Sequence, residues 1–308
     1  MGGVIGQLSY LYCRSGCQAS VVASALTFHP PKPAFYKIKY DETACTYSIN
    51  FSPQANSVSY EDITVELLRT KTNTTIPMVL LRCKDAKFTI IYSHGNATDV
   101  GAMFFMYAMI AVACKVNVIG YDYTGYGASI EGGIQPTEKQ TYKDVERVYE
   151  WCVETRLVKD PSKELVLYGQ SVGSGPSCYL ASTRPVAGVV LHSPILSGIR
   201  VLTPSRLMAC FDIYPNIDRI RKVKAPVFVI HGEEDEEVGF NHGVEMHAAV
   251  PKQYQTEPWW VANRGHNDIL RGNEKEFFRR MGSFLDAVEK QRMAPSATHA
   301  VEMNSKRI

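Results

Sequence analysis

Leu165-Val166-Leu167-Tyr168-Gly169-Gln170-Ser171-Val172-Gly173-Ser174-Gly175 is the stretch that decides the fold. Its first residues form a short apolar run, as a buried strand does. The run meets Gly-x-Ser-x-Gly at Gly169, Ser171 and Gly173, and small residues then lead into a segment compatible with a helix. A strand that turns sharply into a helix strains the backbone of the residue at the corner. Glycines on either side let neighbouring backbone approach without a Cβ clash. The Ser171 hydroxyl would then stand clear at the carboxyl edge of a sheet, as a nucleophile elbow. Gly and Ser are common residues, so the motif string alone is weak and a glycine-rich turn is the plain alternative. The strand before it and the helix after it favour the nucleophile.

On both sides of the elbow the chain alternates between strand and helix patterns. Strands are expected at 88–92, 116–121, 188–191, 227–231 and 259–262, and helices at 102–113, 137–157, 242–249 and 275–290. Alternation of this kind implies a mostly parallel central sheet with helices on both faces, an α/β fold. Residues 35–83 read differently. Runs at 47–51, 63–68 and 78–81, separated by turn residues, predict an N-terminal antiparallel meander. The segment 193–223 is too short for a large lid, so an open cleft is expected.

The 308 residues are 45% hydrophobic and 21% charged, which suits a globular chain, and the net charge of +2 gives no electrostatic case for nucleic acid. The eight cysteines form no zinc-type pair of pairs and suggest no disulfide framework. No apolar run is long enough to span a bilayer. Three segments are expected: 1–33, an N-terminal membrane tether or amphipathic segment; 34–293, the α/β domain; and 294–308, a flexible tail. Residues 1–40 contain no Asp or Glu, and Leu8, Leu11, Tyr12, Val22 and Leu26 recur at roughly helical spacing with Cys13 and Cys17 among them. That pattern fits either a helix packed on the domain or an interfacial anchor with acylated cysteines. Met1-Gly2 invites N-myristoylation, but Gly6 stands where that motif wants Ser or Thr. The stiff run His29-Pro30-Pro31-Lys32-Pro33 closes the segment.

A serine hydroxyl needs a base to take its proton, and the base needs a carboxylate to hold its ring. On this architecture the chain order is Ser, acid, His. The acid belongs after the strand 227–231, where Glu233, Glu234, Asp235 and Glu236 crowd together with Glu237 next. Pattern alone does not choose among them, and a solvated acidic loop is the alternative. Asp235 is favoured for its reach from the strand end. The base is His266, the one histidine after the acid that falls on a strand-to-helix loop; His242 and His247 read as helix faces and His299 lies in the tail. Charge that builds on a carbonyl oxygen needs N–H donors. Val172, just after the serine, should supply one, and Asn96 or Ala97 in Ser93-His94-Gly95-Asn96-Ala97 the other. His94 itself reads as a structural hydrogen-bonder. No metal or cofactor is implied.

These pieces together resemble an α/β-hydrolase, and more narrowly the alpha/beta hydrolase domain-containing protein 17 family. The resemblance is carried by Tyr92-Ser93-His94-Gly95-Asn96-Ala97, Tyr121-Asp122-Tyr123-Thr124-Gly125-Tyr126-Gly127, Leu167-Tyr168-Gly169-Gln170-Ser171-Val172-Gly173, Leu191-His192-Ser193-Pro194, Cys210-Phe211-Asp212, Val229-Ile230-His231-Gly232-Glu233-Glu234-Asp235 and Gly265-His266-Asn267-Asp268. It covers residues 20 to 285 approximately. It implies that the acid is the Asp three residues after His-Gly, which is Asp235. It also implies a serine hydrolase that removes palmitoyl groups from S-acylated membrane-associated proteins. Its own N-terminal cysteines would be palmitoylated and hold it at the cytoplasmic face of membranes; without the tether it would be cytosolic. The family N-terminus often carries a dense cysteine cluster, whereas here only Cys13 and Cys17 stand there. Two other readings remain: a serine peptidase of the prolyl-oligopeptidase or aminopeptidase kind on the same fold, and an inactive interaction module that kept the scaffold.

Overall fold

The computed structural model describes residues 18–52, 60–129, 133–202 and 212–293. Ten strands fall among them: β1 (Tyr36–Asp41), β2 (Thr46–Phe51), β3 (Ile63–Arg69), β4 (Thr75–Leu81), β5 (Thr89–Ser93), β6 (Asn117–Tyr121), β7 (Leu165–Gln170), β8 (Gly188–His192), β9 (Val227–Gly232) and β10 (Trp259–Val261). Eight form one sheet in the order β10-β9-β8-β7-β5-β6-β4-β3. From β10 to β6 every neighbour pairs in parallel, while β4 pairs antiparallel with both β6 and β3. The expected meander is therefore split. β3 and β4 join the main sheet, whereas β1 and β2 form a separate two-stranded antiparallel ribbon. The reason lies in their faces: β1 and β2 keep mostly exposed or half-exposed residues, and β4 is buried along nearly its whole length.

Alternation along each central strand builds two cores, because successive side chains point to opposite faces. Ile91, Leu167, Val189 and Val229 face one core, with Val145 and Val148 of α3 (Glu138–Glu154) and Leu180 of α4 (Ser174–Thr183). Their neighbours Ile90, Val166, Val190 and Phe228 face the other. There they meet Phe104 and Ile110 of α2 (Val100–Cys114), and Phe277 and Phe284 of α6 (Glu274–Met293). Each fully buried side chain of this size contributes about 1.5–3 kcal/mol, so packing on the sheet holds the helices more firmly than their intrinsic propensity. Caps fix where they start: the Asp99 side chain accepts from Ala102 N–H, and that of Thr137 from Gln140 N–H. α5 (Asn241–Ala249) follows β9. The β8–β9 connection carries only short helical pieces among the described residues, Gly198–Leu202, Asn216–Arg219 and the 3₁₀ turn Ile220–Lys222.

The N-terminal helix α1 (Ala19–Thr27) lies on the domain, with Val22 and Ala23 buried. Phe28 beyond it is also buried and meets Tyr214 edge to face, with ring centroids 6.1 Å apart. Gly2, Cys13 and Cys17 lie outside the described residues, as does the tail from 294. Among the described residues no helix is long and apolar enough to cross a membrane.

Candidate active site

Ser171 sits where β7 ends and a 3₁₀ turn leads into α4, with φ +51°. That left-handed backbone is uncommon for a residue with a Cβ and aims its side chain out of the strand line. The two flanking glycines make the corner possible. A Cβ on Gly169 would lie 2.7 Å from Gly173 O, and one on Gly173 only 2.0 Å from Ser93 O. Any other residue at either place would collide with backbone.

Two more strand ends bring partners to the serine. The loops after β9 and β10 are stitched together: Glu233 N–H donates to Val261 O (3.0 Å) and Glu234 N–H to Arg264 O (2.9 Å). Gly232 allows this closeness, since a Cβ there would stand 2.3 Å from Arg264 O. In the second loop Gly265 N–H donates to Asp268 Oδ1 (2.7 Å), tightening the turn that carries His266. His266 Nδ1 lies 2.7 Å from Asp235 Oδ2, and its Nε2 lies 3.0 Å from Ser171 Oγ. An ionised carboxylate can only accept, so Nδ1 carries the proton and Nε2 is left to accept from the serine hydroxyl.

Asp235 differs from the acids around it. It is buried, whereas Glu233, Glu234, Glu236 and Glu237 are exposed. Its Oδ1 accepts from the N–H groups of Glu237 (3.0 Å) and Val238 (2.8 Å). Oδ2 serves two histidines, since His231 Nε2 lies 3.2 Å away. Burial by itself would raise the Asp235 pKa, but hydrogen bonds from His231, His266 and Val238 N–H outweigh it and hold the carboxyl well below its ordinary range. In the sequence His231 reads only as the end of a strand; its place four residues before Asp235 is the signal of its role. His192, on the neighbouring strand, is kept neutral. Burial, then repulsion from His266 and His231, lowers its pKa to about 3, and its Nδ1 pairs with the Tyr168 hydroxyl at 2.9 Å. A neutral His192 adds no positive charge to compete with His266 for Asp235.

The loop 93–97 closes over the serine; a Cβ on Gly95 would stand 3.8 Å from that of Ser171. Its backbone donors are not equivalent. Ala97 N–H donates to the Asn96 side chain (Oδ1, 3.0 Å) and so is engaged. No hydrogen bond among the described residues takes the N–H of Asn96 or of Val172, so both are free to donate beside Ser171. The Asn96 carboxamide also does something the sequence did not reveal. Its Oδ1 accepts from His29 N–H (2.9 Å) and the Tyr126 hydroxyl (2.7 Å), and its Nδ2 donates to Thr27 O (2.6 Å). It thus clasps the segment after α1 to the loop. His94 is turned inward, with Nε2 3.2 Å from Asp122 Oδ1, and Asp122 also accepts from the Tyr36 hydroxyl.

A mostly parallel sheet, helices on both faces and a serine on a strained strand-to-helix corner define an α/β-hydrolase. Solved structures agree on the fold. An esterase from Pyrococcus furiosus superposes with a TM-score of 0.61 at 20% identity, covering 76% of this chain and 98% of its own. An alpha/beta hydrolase from Penicillium sp. sh18 gives 0.61 at 14%, covering 75% and 100%. No family model matches the chain. Among curated proteins it is 38% identical over 269 residues to the human alpha/beta hydrolase domain-containing protein 17B, covering 85% of this chain and 90% of that one. With the 17C protein of Xenopus tropicalis it shares 36% over 288 residues, covering 87% and 90%. The chain belongs to the alpha/beta hydrolase domain-containing protein 17 family and is a hydrolase.

Proposed function

We propose that this hydrolase cleaves thioesters or esters by a Ser171–His266–Asp235 mechanism, and that its substrates are S-palmitoylated proteins at a membrane surface. His266 takes the Ser171 proton as Oγ attacks the acyl carbonyl carbon. The N–H groups of Val172 and Asn96 receive the oxyanion. The tetrahedral intermediate then expels the cysteine thiolate, which takes the proton from His266, and the acyl group stays on Ser171. Water attacks this ester with His266 again as base, releasing the fatty acid and restoring the serine. The single observation that supports the reading is His266 within hydrogen-bond reach of both partners, 3.0 Å from Ser171 and 2.7 Å from Asp235. The expected result is that a fluorophosphonate probe labels the chain at Ser171 and that an S-palmitoyl peptide is hydrolysed faster than a matched peptide amide. Preference for the amide would favour a peptidase, and failure to label would favour an inactive module.

The same reading makes the N-terminus a reversible tether through Cys13 and Cys17, while α1 packs on the α/β domain. One acyl chain binds a bilayer only marginally, at about 10⁴ M⁻¹ for myristate, so stable attachment takes two signals. Acylated Cys13 and Cys17 would supply them on the cytoplasmic side. Cys13→Ser with Cys17→Ser is then expected to move the protein from the membrane to the cytosolic fraction of lysed cells, with turnover of a soluble thioester unchanged. An unshifted distribution ends the tether reading.

A further inference from the structure

Two cavities flank the serine and His266, each of about 210 Å³. We propose that the one bordered by Leu26, Ile195, Val201 and Val238 is the subsite for the substrate's acyl chain, and that the protein's own N-terminal segment forms one of its walls. The inference rests on the acyl-hydrolase reading above and adds the place and the chemistry of the chain.

This cavity contains Ser171 and Val172, so a carbonyl bound at the serine has its tail directed along these aliphatic side chains. Its polar lining includes Glu237, whose Oε1 accepts from Asn267 Nδ2 at the exposed rim, and His29, whose Nε2 lies 3.2 Å from Leu26 O. Asn96 Oδ1 accepts from three groups and Nδ2 donates to Thr27 O. Val238 N–H donates to Asp235, and its carbonyl accepts from His231. The N–H groups of Val172 and Asn96 are free beside Ser171, which suits a ligand whose polar head sits at the serine and whose remainder is apolar. The second cavity fits a chain less well. It reaches His266 and Met103 without touching Ser171, and the buried Nε2 of His192, which borders it, has no hydrogen-bond partner there.

Leu26 comes from α1, and the Asn96 clasp on Thr27 and His29 fixes it over the site. The subsite is therefore incomplete without the N-terminal segment. Burial of each methylene should raise kcat/KM about fourfold until the cavity is full.

The test is a series of acetyl, octanoyl and palmitoyl thioesters of one soluble peptide, given to the full chain. The wild type is expected to prefer the longer chains over acetyl. Leu26→Trp, which narrows the cavity, should lower the palmitoyl-to-acetyl ratio of kcat/KM by roughly tenfold or more. Val201→Trp, on a different wall, should do the same. Retained acetyl turnover shows that each variant is folded. Met103→Trp in the second cavity should leave the ratio unchanged. An absent length preference, a ratio untouched by both Leu26→Trp and Val201→Trp, or one that falls with Met103→Trp instead, overturns the subsite while leaving the hydrolase reading in place. A wild type that hydrolyses no member of the series, acetyl included, overturns the acyl-hydrolase reading and the subsite with it.

Discussion

Ser171→Ala is expected to lower turnover of an S-acyl substrate by about three orders of magnitude or more. Without Oγ there is no nucleophile to form an acyl-enzyme, and what remains is binding and oxyanion stabilisation. The fold should survive the change. Ser171 holds φ +51°, and alanine bears the same Cβ as serine, so the strain at the corner is unaltered. His266 loses one partner at Nε2 but keeps Asp235 at Nδ1. Single-turnover assays should therefore show lost chemistry alongside an unchanged thermal transition. Near-normal turnover in a folded variant would remove Ser171 from the mechanism.

Asp235→Asn should be as damaging, with kcat reduced roughly ten-thousandfold. The surroundings decide how the amide sits. The N–H groups of Glu237 and Val238 point at one oxygen, so the carbonyl of Asn must take that side. Its NH₂ then faces His266 Nδ1 and donates to it, forcing the imidazole proton to Nε2, where it can no longer accept from the serine. The negative charge that would steady an imidazolium is lost as well. Glu233→Gln and Glu236→Gln change exposed side chains and should leave kcat near wild type. Steady-state kinetics on the three variants check the assignment; a larger loss in either Glu variant would transfer the role to that residue.

What could be read before the structure depended on how local the signal was. β5 to β10 were legible because each strand is a short apolar run and the helices between them carry their own periodicity. Ser171 and His266 stood out through chain order and loop position. Asp235 needed more, since five neighbouring acids look alike in sequence and only burial separates one from the rest. The ribbon of β1 and β2 was not separable from β3 and β4, because all four share strand-like composition and the difference lies in which face finds a partner. The Asn96 clasp was also hidden. It joins residues 67 and 69 positions apart, and an asparagine beside a glycine reads as an ordinary turn. His231 is a different case: it stands only four positions before Asp235, but a histidine that closes a strand reads as part of the strand rather than as a second partner for that carboxylate.

The stitching between the loops after β9 and β10 bears on timing. Glu233 and Glu234 donate from one loop to Val261, which ends β10, and to Arg264 in the loop after it, and Gly232 lets the two segments lie almost in contact. Asp235 and His266 consequently belong to one rigid body rather than to two loops that must find each other in every cycle. In the proposed mechanism, the reorganisation that would otherwise accompany each proton transfer is then completed once, when the chain folds. A dipole framework set in advance has nothing left to rearrange when a substrate arrives, so the motion that matters is that of the substrate settling against Ser171.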